Sequence, residues 1–443
     1  MDIRKRFRDF GDWCPQPPDR LPTRLKQYSV PITILLTVTL FAASFSIFYS
    51  SSMLHPSIPL APAIPISASA QSSNTFYTGP SNTIYIRPDG STDPSTAPIK
   101  RVGNVFTLTD NITGNNETAI EVQKNNIIID GADYTLQGPG TQRSLTDALT
   151  GSIGIVISNG NNVTVENFLI TNALVGIELE NSTNSQLIRN SITTYSYENG
   201  IDVFNSSNNI ISNNDLVSYA NLDGCQNNGL DLSNSFNNTV SKNNVVGSWV
   251  GISLGETNSS VVSGNSVTQS CTGIGLFGSD ANQVFGNNVF GTIEAISHGD
   301  YSDSGTGITL YSKADNNQVY GNKLTNNGNG MNVWFGSSNN TIYDNNFENN
   351  SLGQVNLLQE SGVSNFWDNG TVGNYWSNYH GQGTYVIDQN NVDYHPLTHP
   401  TLISTILPIA TIALVVVAVV IIALLVVLMF QKRLKKTATI NNR

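Results

Sequence analysis

The chain has 443 residues, of which only 12% are charged, and Gly, Ser, Thr and Asn dominate its middle. This composition is unlike an α-rich cytosolic enzyme and typical of a β protein with many turns. The two ends hold twelve of the 21 Lys and Arg but four of the 32 Asp and Glu, so the region between carries nine basic and 28 acidic residues, a net −19. This acidic region argues against nucleic acid as a partner, because phosphate contacts need clustered Lys and Arg.

The N-terminal part begins with a basic tail at 1–29 and continues with an apolar segment at 30–50. Residues 31–49 form a 19-residue uncharged run, which as a helix rising about 1.5 Å per residue is long enough to span a bilayer core. We predict an uncleaved signal anchor here, and a cleaved signal peptide is the alternative. The Pro-, Ala- and Ser-rich residues 51–75 are predicted to be an extended linker.

The central region repeats, with a Gly followed by alternating apolar residues. The intervals between these glycines are 22, 24, 29, 22, 22, 34 and 23 residues, and the positions are Gly154, Gly176, Gly200, Gly229, Gly251, Gly273, Gly307 and Gly330. A basal period of 22 with variable additions is typical of a coiled β-solenoid in which each coil is one rung. Three short strands per rung, each with one apolar face, predict an all-β protein with a right-handed parallel β-helix.

Asn recurs at the corner between the second and third strands, 14 or 15 residues after the Gly, at Asn190, Asn214, Asn243, Asn265, Asn287, Asn322 and Asn345. Asn tolerates the left-handed turn conformation and hydrogen-bonds along a stack. We predict an N-terminal cap and first coils at 76–150, regular rungs at 151–352 and a C-terminal cap at 353–400. The aromatic, non-repetitive cap sequence suits the closing of open strand edges.

Four segments carry a resemblance to a known family: the rungs at 316–322 and 339–345, Gly-Asn-Tyr-Trp-Ser at 373–377 and Asp-Tyr-His-Pro-Leu at 393–397. They resemble the NosD-like branch of the carbohydrate-binding and sugar-hydrolase β-helix proteins, which are common among archaeal surface proteins. The resemblance covers residues 81–398 and implies the β-helix fold, with a link to copper-site maturation through the founding relatives. A calcium-loop-like insert often follows Tyr-Trp-Ser in such relatives, and residues 380–384 replace it here.

The C-terminal part holds a second apolar segment, predicted as a transmembrane helix at 402–430, and a basic tail at 431–443. Basic residues flank the outer ends of both apolar segments, so the positive-inside rule places both termini in the cytoplasm. The β-helix is therefore predicted to lie outside the cytoplasm, anchored in the cell membrane.

An acidic row is expected on the outer face of the first strands. Glu178, Asp202 and Asp231 each lie two residues after a rung Gly, with Glu180 beside them. Stacked strands are about 4.8 Å apart, so neighbouring carboxylates repel by roughly 0.9 kcal/mol even in water. Three interpretations stay open: a solvated acidic row, a cation site for calcium, and catalytic carboxylates.

The variable additions all fall at the corner before the next Gly, where they are expected to wall a shallow groove. Trp249 is predicted to lie on its floor, and the ligand-binding candidates in the additions are Asp223, Glu294, His298, Asp300, Tyr301 and Asp303. Aromatic and acidic side chains of this kind contact sugars, whereas tolerated insertions are the alternative. Position four after the Gly adds an outward aromatic set at Phe204, Phe277, Tyr311 and Trp334.

Cysteines and Asn sequons suggest two modifications of an exposed surface. Cys225 and Cys271 fall at the same corner and are a disulfide candidate if the 217–228 addition folds over. The glycosylation candidates are Asn111, Asn116, Asn162, Asn181, Asn205, Asn237, Asn258, Asn339, Asn349 and Asn369.

The sequence thus predicts a membrane-anchored cell-surface β-helix that acts as a glycan- or envelope-binding or structural module without catalysis. A polysaccharide hydrolase or lyase that uses the stacked carboxylates is the alternative, although none of the basic rung residues falls near the acidic row and no polygalacturonase-type motif is present. A copper-linked accessory role ranks third. Only His395 and His399 are close in sequence among the copper-donor types outside the predicted membrane segments.

Overall fold

The structure, a computed structural model, describes residues 83–113, 118–138, 153–195, 199–219, 227–292, 305–358 and 363–402. These residues form strands and turns. Within these ranges there is no helix long and apolar enough to span a bilayer. The apolar segments predicted to cross the membrane, at 30–50 and 402–430, lie outside the described residues except for Leu402.

The strands are numbered in chain order. Those before the regular rungs are β1 Ile84–Ile86, β2 Thr92–Asp93, β3 Ile99–Val102, β4 Val105–Leu108, β5 Ile112–Thr113, β6 Ile120–Val122, β7 Ile127–Asp130 and β8 Thr135–Gln137. The regular rungs contain β9 Ile153–Ser158, β10 Val163–Glu166, β11 Leu169–Ala173, β12 Val175–Glu180, β13 Gln186–Ile188, β14 Ser191–Tyr195, β15 Ile201–Phe204, β16 Ile210–Ser212, β17 Asp215–Tyr219, β18 Asn228–Ser233, β19 Thr239–Ser241, β20 Asn244–Val246, β21 Val250–Gly255, β22 Val261–Ser263, β23 Ser266–Thr268, β24 Thr272–Phe277, β25 Gln283–Phe285, β26 Asn288–Phe290, β27 Thr306–Tyr311, β28 Gln318–Tyr320, β29 Lys323–Thr325, β30 Asn329–Val333, β31 Thr341–Tyr343 and β32 Asn346–Glu348. The last strands are β33 Gly353–Leu357, β34 Tyr375–Trp376, β35 Tyr385–Val386 and β36 Val392–Asp393.

Each rung contributes one strand to each of three sheets. Within the described residues the first sheet runs β2-β1-β6-β9-β12-β15-β18-β21-β24-β27-β30-β33, the second β3-β4-β7-β10-β13-β16-β19-β22-β25-β28-β31, and the third from β5 through β8, β11 and every third strand to β32 and β34. Strands of successive rungs pair in parallel, and antiparallel pairs occur near the two ends, where β1 meets β2, β3 meets β4 and β35 meets β36. The described residues therefore form the predicted parallel β-helix.

The interior of the tube is a continuous apolar column. In one rung, Leu230 and Leu232 of β18, Val240 of β19 and Val245 of β20 are all 0% exposed. The alternation along each strand places one or two such side chains per strand on the inner side, as the sequence predicts. Burying a Val, Leu or Ile side chain contributes about 1.5–3 kcal/mol, so this column is the main favourable term for every rung.

The glycine that opens each first strand is required by the close approach of the next rung. A Cβ on Gly251 would lie 2.6 Å from the carbonyl oxygen of Gly273, and a Cβ on Gly273 would lie 2.5 Å from that of Gly307. These distances are well inside van der Waals contact with the backbone of the next rung, and a core methyl group, Val267 Cγ1 in the case of Gly251, would be closer still at 2.3 Å. The repeated Gly is therefore a packing requirement of stacked coils.

The predicted Asn row is a buried hydrogen-bonded ladder. The N–H of Asn243 donates to Asn265 Oδ1 (2.9 Å), and its Nδ2 donates to Ile211 O (3.0 Å) and Asn265 Oδ1 (3.0 Å). The left-handed conformation, however, belongs to the preceding residue, as in Lys242 (φ 57°) and Asn213 (φ 56°). The ladder Asn thus supplies the corner with hydrogen bonds, and its neighbour makes the turn.

A second ladder, which the sequence analysis missed, lies at the corner between the first and second strands. Asn209 N donates to Asn238 Oδ1 (2.9 Å), and Asn317 N donates to Asn340 Oδ1 (2.8 Å). Ser260 Oγ takes the place of an Asn in this row, accepting the N–H of Asn238 (3.1 Å). Two of the three corners are therefore held by side chains that bond the next rung.

The C-terminal cap region continues the solenoid before closing it. β33 adds a strand to the first sheet, and β34 adds one to the third. Trp376 then stacks between Phe347 (4.4 Å) and Tyr385 (4.3 Å) over the end of the core. Its Nε1 donates to Asp393 Oδ2 (2.8 Å), and burial raises the pKa of Asp393.

We expect Gly251→Ala to lower the free energy of unfolding by about 3 kcal/mol, because the new Cβ overlaps backbone of the next rung. Gly255→Ala on the same strand is the matched control. Its Cβ would meet nothing closer than Ser233 Oγ at 3.6 Å, so we expect a change within about 0.5 kcal/mol. Urea denaturation of both variants checks this, and equal stabilities would contradict the packing argument.

We expect Asn243→Asp to destabilise the protein by about 3 kcal/mol at neutral pH, since a buried carboxylate replaces an amide that donates two hydrogen bonds. The loss should shrink as the pH falls and the carboxyl gains a proton. Asn244→Asp, whose side chain lies on the outer face of β20, is the control. Thermal unfolding at several pH values measures both, and a loss as large in the control would refute the ladder's role.

Candidate functional site

The three predicted acidic residues lie side by side on the outer face of the first sheet. Glu178 of β12 pairs in register with Asp202 of β15, which pairs with Asp231 of β18. The residues on either side of each are core residues, so the three carboxylates point away from the core. The structure brings this trio together as the Gly-based register predicts.

A cleft of about 400 Å³ opens above these strands, and we call it the acidic cleft. Its walls are Glu178, Glu180, Asn199, Asp202, Phe204, Asp231 and Ser233. The volume lies within the range of about 300–1,000 Å³ that small-molecule sites occupy. Phe204 is 45% exposed beside the carboxylates, so the cleft offers an aromatic surface as well as polar groups.

Neighbouring polar side chains orient two of the carboxylates. Asp231 accepts hydrogen bonds from Ser233 Oγ (2.5 Å) and Asn228 Nδ2 (2.9 Å). The backbone N–H of Asn228 in turn donates to Asn199 Oδ1 (2.8 Å). Glu180 accepts a hydrogen bond from Ser158 Oγ (3.1 Å). The Asp231 end of the cleft is therefore held in a fixed arrangement.

Glu178 is in a different environment. No described side chain donates a hydrogen bond to it, and burial, followed by the nearby charge of Glu180, raises the pKa of its carboxyl. Each effect disfavours the ionised form. Glu178 consequently keeps its proton to higher pH than an ordinary Glu, which lessens the repulsion along the row.

A cation site at the acidic cleft is one of the interpretations that the sequence leaves open. Across the described residues, no group of three or more His, Cys, Asp and Glu is arranged to hold a metal ion. The predicted calcium site at Glu178, Asp202 and Asp231 therefore gains no support. Hydrogen bonds to Asp231 and Glu180 and the raised pKa of Glu178 are the features that ease the stacking of like charges.

Trp249, predicted for the floor of a second groove, does not line the acidic cleft. It is half-buried just before β21, and its backbone N–H donates to Asn227 O (2.9 Å). The other predicted ligand-binding residues lie outside the described ranges: Asp223, Glu294, His298, Asp300, Tyr301 and Asp303. The groove walled by the additions stays a prediction.

The predicted disulfide also stays a prediction. Cys271 is 1% exposed at the corner before β24, and Cys225 lies outside the described residues.

Most of the glycosylation candidates lie on exposed turns. Those exposed are Asn162, Asn181, Asn205, Asn237, Asn258, Asn339, Asn349 and Asn369, while Asn111 is half-buried and Asn116 lies outside the described residues. Many have a left-handed backbone, among them Asn181 (φ 50°) and Asn237 (φ 55°). Turn geometry by itself selects Asn at these positions. The exposed Asn side chains are accessible to a glycosylating enzyme, and their glycosylation stays a prediction.

The predicted outward aromatic set divides into two groups. Phe204 belongs to the acidic cleft, whereas Tyr311 contacts Phe277 (ring centroids 5.9 Å apart) and Trp334 (6.5 Å) further along the sheet. The sequence analysis missed Asn199 and Ser233 as lining residues of the cleft and Asn228 as a hydrogen-bond donor to Asp231. A signal was present for the two Asn, because each immediately precedes a rung Gly and so lies at the edge of the same sheet.

A family model described as periplasmic copper-binding protein (NosD) matches residues 111–297 and 219–381. These matches span more than half of the chain. The chain belongs to the NosD family. No curated protein matches it.

Several solved structures are similar to this NosD-family protein. They include a double mutant of the periplasmic alginate epimerase AlgG (15% identity, 63% of this chain and 73% of that chain, TM-score 0.43). The DFA-IIIase from Arthrobacter chlorophenolicus A6 shares 12% identity over 58% of this chain and 67% of its own (TM-score 0.42). A tailspike protein mutant of E. coli bacteriophage HK620 in complex with pentasaccharide shares 12% over 65% and 55% (TM-score 0.44). At these scores the similarity carries no conclusion about function.

The copper-donor residues that the structure describes do not fit the copper in the family description. Met331 is 0% exposed in the core, and Cys271 is buried at a corner. His395 Nδ1 lies 3.2 Å from Asp368 Oδ1 in the C-terminal cap. These donors are dispersed, and they belong to no metal-binding group among the described residues. We therefore derive no chemistry through copper.

We expect Glu178→Gln to remove part of the pH dependence of stability. An acid whose pKa is raised in the folded state stabilises that state below its unfolded pKa, near 4.5, and loses this contribution as the pH rises through the folded pKa. As the pH rises from below 4.5 through the folded pKa, the melting temperature of the wild type should therefore fall more than that of Glu178→Gln. Glu180→Gln should give an intermediate profile, because it removes only the added charge. Superimposable profiles for wild type and Glu178→Gln would count against the shift.

Proposed function

We propose that this NosD-family protein is a membrane-anchored cell-surface β-helix that binds a glycan at the acidic cleft without cleaving it. The observation that carries the proposal is that four carboxylates and the exposed ring of Phe204 line the same cleft. Carboxylates accept hydrogen bonds from sugar hydroxyls, and an aromatic ring packs against the C–H groups of a pyranose. Pockets of this size with few oriented polar groups are typical ligand sites.

The charge of the cleft narrows the kind of glycan. None of its lining residues is basic, and four are acidic. A polyanionic glycan would be repelled, whereas uncharged sugars and sugars with free amino groups would not. We therefore propose a neutral or amino-sugar-containing polysaccharide as the ligand.

An extracytoplasmic location fits the same proposal. The family description names periplasmic proteins. The two apolar segments with basic outer flanks support an anchored protein whose β-helix faces the cell envelope. A surface glycan would be directly accessible from that position.

Hydrolysis of the glycan is the second candidate, and the environment of Glu178 favours it. Glu178 and Asp231 are separated by the single strand β15, so their backbones are about 9.6 Å apart at about 4.8 Å per strand. Inverting glycosidases place an acid and a base about 6.5–9.5 Å apart. A carboxyl whose pKa is raised, Glu178, and a hydrogen-bonded carboxylate, Asp231, would suit those two roles. A lyase is less favoured, because the cleft wall lacks a basic residue.

The test uses the purified full-length protein and a panel of neutral, amino-containing and acidic polysaccharides, with binding and new reducing or unsaturated ends measured together. We expect retention of a neutral or amino-containing glycan without cleavage. Asp202→Asn should weaken binding about 10- to 100-fold, as loss of a charge-assisted hydrogen bond does. Asp215→Asn, on the outer face of the third sheet, is the control and should bind like the wild type.

Two results would overturn the proposal. Equal affinity of Asp202→Asn and wild type would remove the acidic cleft from binding. New reducing ends that disappear in both Glu178→Gln and Asp231→Asn would establish the hydrolase instead.

A further inference from the structure

The outer face of the first sheet changes character beyond the acidic cleft. Two rows of outward residues that contain carboxylates in the acidic cleft continue along β21, β24, β27 and β30. The row that holds Asp231 continues with Ser253, Gly275, Thr309 and Asn332. The row that holds Glu180 continues with Gly255, Phe277, Tyr311 and, directly after β30, Trp334. None of these eight residues is charged. We call this surface the neutral face.

Aromatic rings dominate the neutral face. The ring of Tyr311 lies 5.9 Å from that of Phe277, 6.5 Å from that of Trp334 and 4.7 Å from that of Phe335. Phe277 leans across Gly275, where a Cβ would lie 2.5 Å from the ring. The rings meet at steep angles of about 60°, so they form an uneven aromatic floor and not a flat stack.

Two buried polar atoms on this face have no partner in the structure. Asn332 is 1% exposed, and its Nδ2 donates to Thr306 Oγ1 (2.8 Å), but its Oδ1 accepts no hydrogen bond. Trp334 Nε1 is buried and donates none. The two residues are separated by the core residue Val333 and so lie on the same side of the strand. Buried polar atoms are nearly always satisfied, so an unpaired acceptor and an unpaired donor on the same side of one strand indicate a missing partner.

We infer that the neutral face is a second binding site and that it takes an uncharged saccharide unit. A sugar hydroxyl donates and accepts at once, so one hydroxyl or an adjacent pair can donate to Asn332 Oδ1 and accept from Trp334 Nε1. The C–H groups of the same ring pack against Tyr311 and Trp334. The absence of charge among the eight residues of the neutral face excludes recognition of a phosphate or carboxylate by an ion pair.

This site is separate from the acidic cleft. Three strand steps lead from Asp231 on β18 to Thr309 on β27, which corresponds to about 14 Å along the axis. The inference does not rest on the proposed function of the cleft, because different residues carry it. Substitutions in one site therefore test it without touching the other.

The experiment measures the affinity of the full-length protein for three uncharged probes, maltohexaose, cellohexaose and mannohexaose, by calorimetry. Trp334→Phe keeps an aromatic ring and removes only the indole and its N–H. We expect at least one probe to bind and this variant to bind it about tenfold more weakly, as loss of one hydrogen bond predicts. Asn332→Ser, which removes the unpaired acceptor, should weaken binding of the same probe.

Two controls separate this effect from others. Tyr320→Phe removes the phenolic hydroxyl from an aromatic ring on the second sheet, and Asp215→Asn alters only the outer face of the third sheet. We expect both to bind the neutral probe like the wild type. Melting temperatures of all variants exclude unfolding as the cause of a loss.

Two outcomes would overturn the inference. The first is equal affinity of Trp334→Phe and wild type for every probe that binds. The second is binding of none of the three probes; acrylamide quenching that differs little between wild type and Trp334→Phe would then show that Trp334 is shielded by the chain itself.

Discussion

The corners of the tube are the points on which the rest of the structure depends. Backbone hydrogen bonds between rungs continue into the corners, as from Lys242 N to Ser263 O (3.1 Å), but the N–H of Asn243 donates to a side chain instead. The Asn ladders satisfy such groups from within the fold. Asn243, for example, uses its amide to bond one carbonyl of the rung before and the side chain of the rung after. Each corner is thereby satisfied only when both neighbouring rungs are in place, which makes the stacking cooperative.

Fixed corners impose a fixed register, and the register creates the acidic cleft. A slip of one residue would exchange the inner and outer faces of a strand. The close approach of the next rung also requires a Gly at one position of each first strand, so the strand cannot shift along its neighbour. Glu178, Asp202 and Asp231 are far apart in sequence, yet they stand on adjacent strands because the turns between them vary in length without altering the corners. The sequence places the additions of variable length between the third strand and the next Gly, and among the described residues no side-chain ladder runs without a break along that corner.

The sequence predicts most of this, and its failures have physical causes. The Gly intervals and the inward residues of β18 and β21 are correct because a Gly close contact and a two-residue alternation leave direct marks in the sequence. The left-handed residue was misplaced by one position, since Asn suits both the turn and the ladder. The second ladder was missed because Ser260 replaces Asn within it, so the Asn series is interrupted. Phe204 was grouped with Tyr311 because both lie four residues after a rung Gly. That position does not reveal that Phe204 has acidic neighbours and Tyr311 aromatic ones, so that the two rings belong to different sites.

The acidic cleft departs from what stability alone would select. The same column holds Val156 on the preceding strand and Ser253 on the following one, so the fold accepts uncharged residues at this position. Three successive carboxylates repel one another, and the structure eases this with Ser233, Asn228 and the raised pKa of Glu178. Local rules are typically broken where a protein binds or reacts. The outer face changes from acidic to neutral within one strand step, from Asp231 to Ser253. A glycan aligned with the tube axis would therefore contact the acidic cleft and the neutral face in succession. The strand spacing would determine which sugar unit contacts each of the two sites.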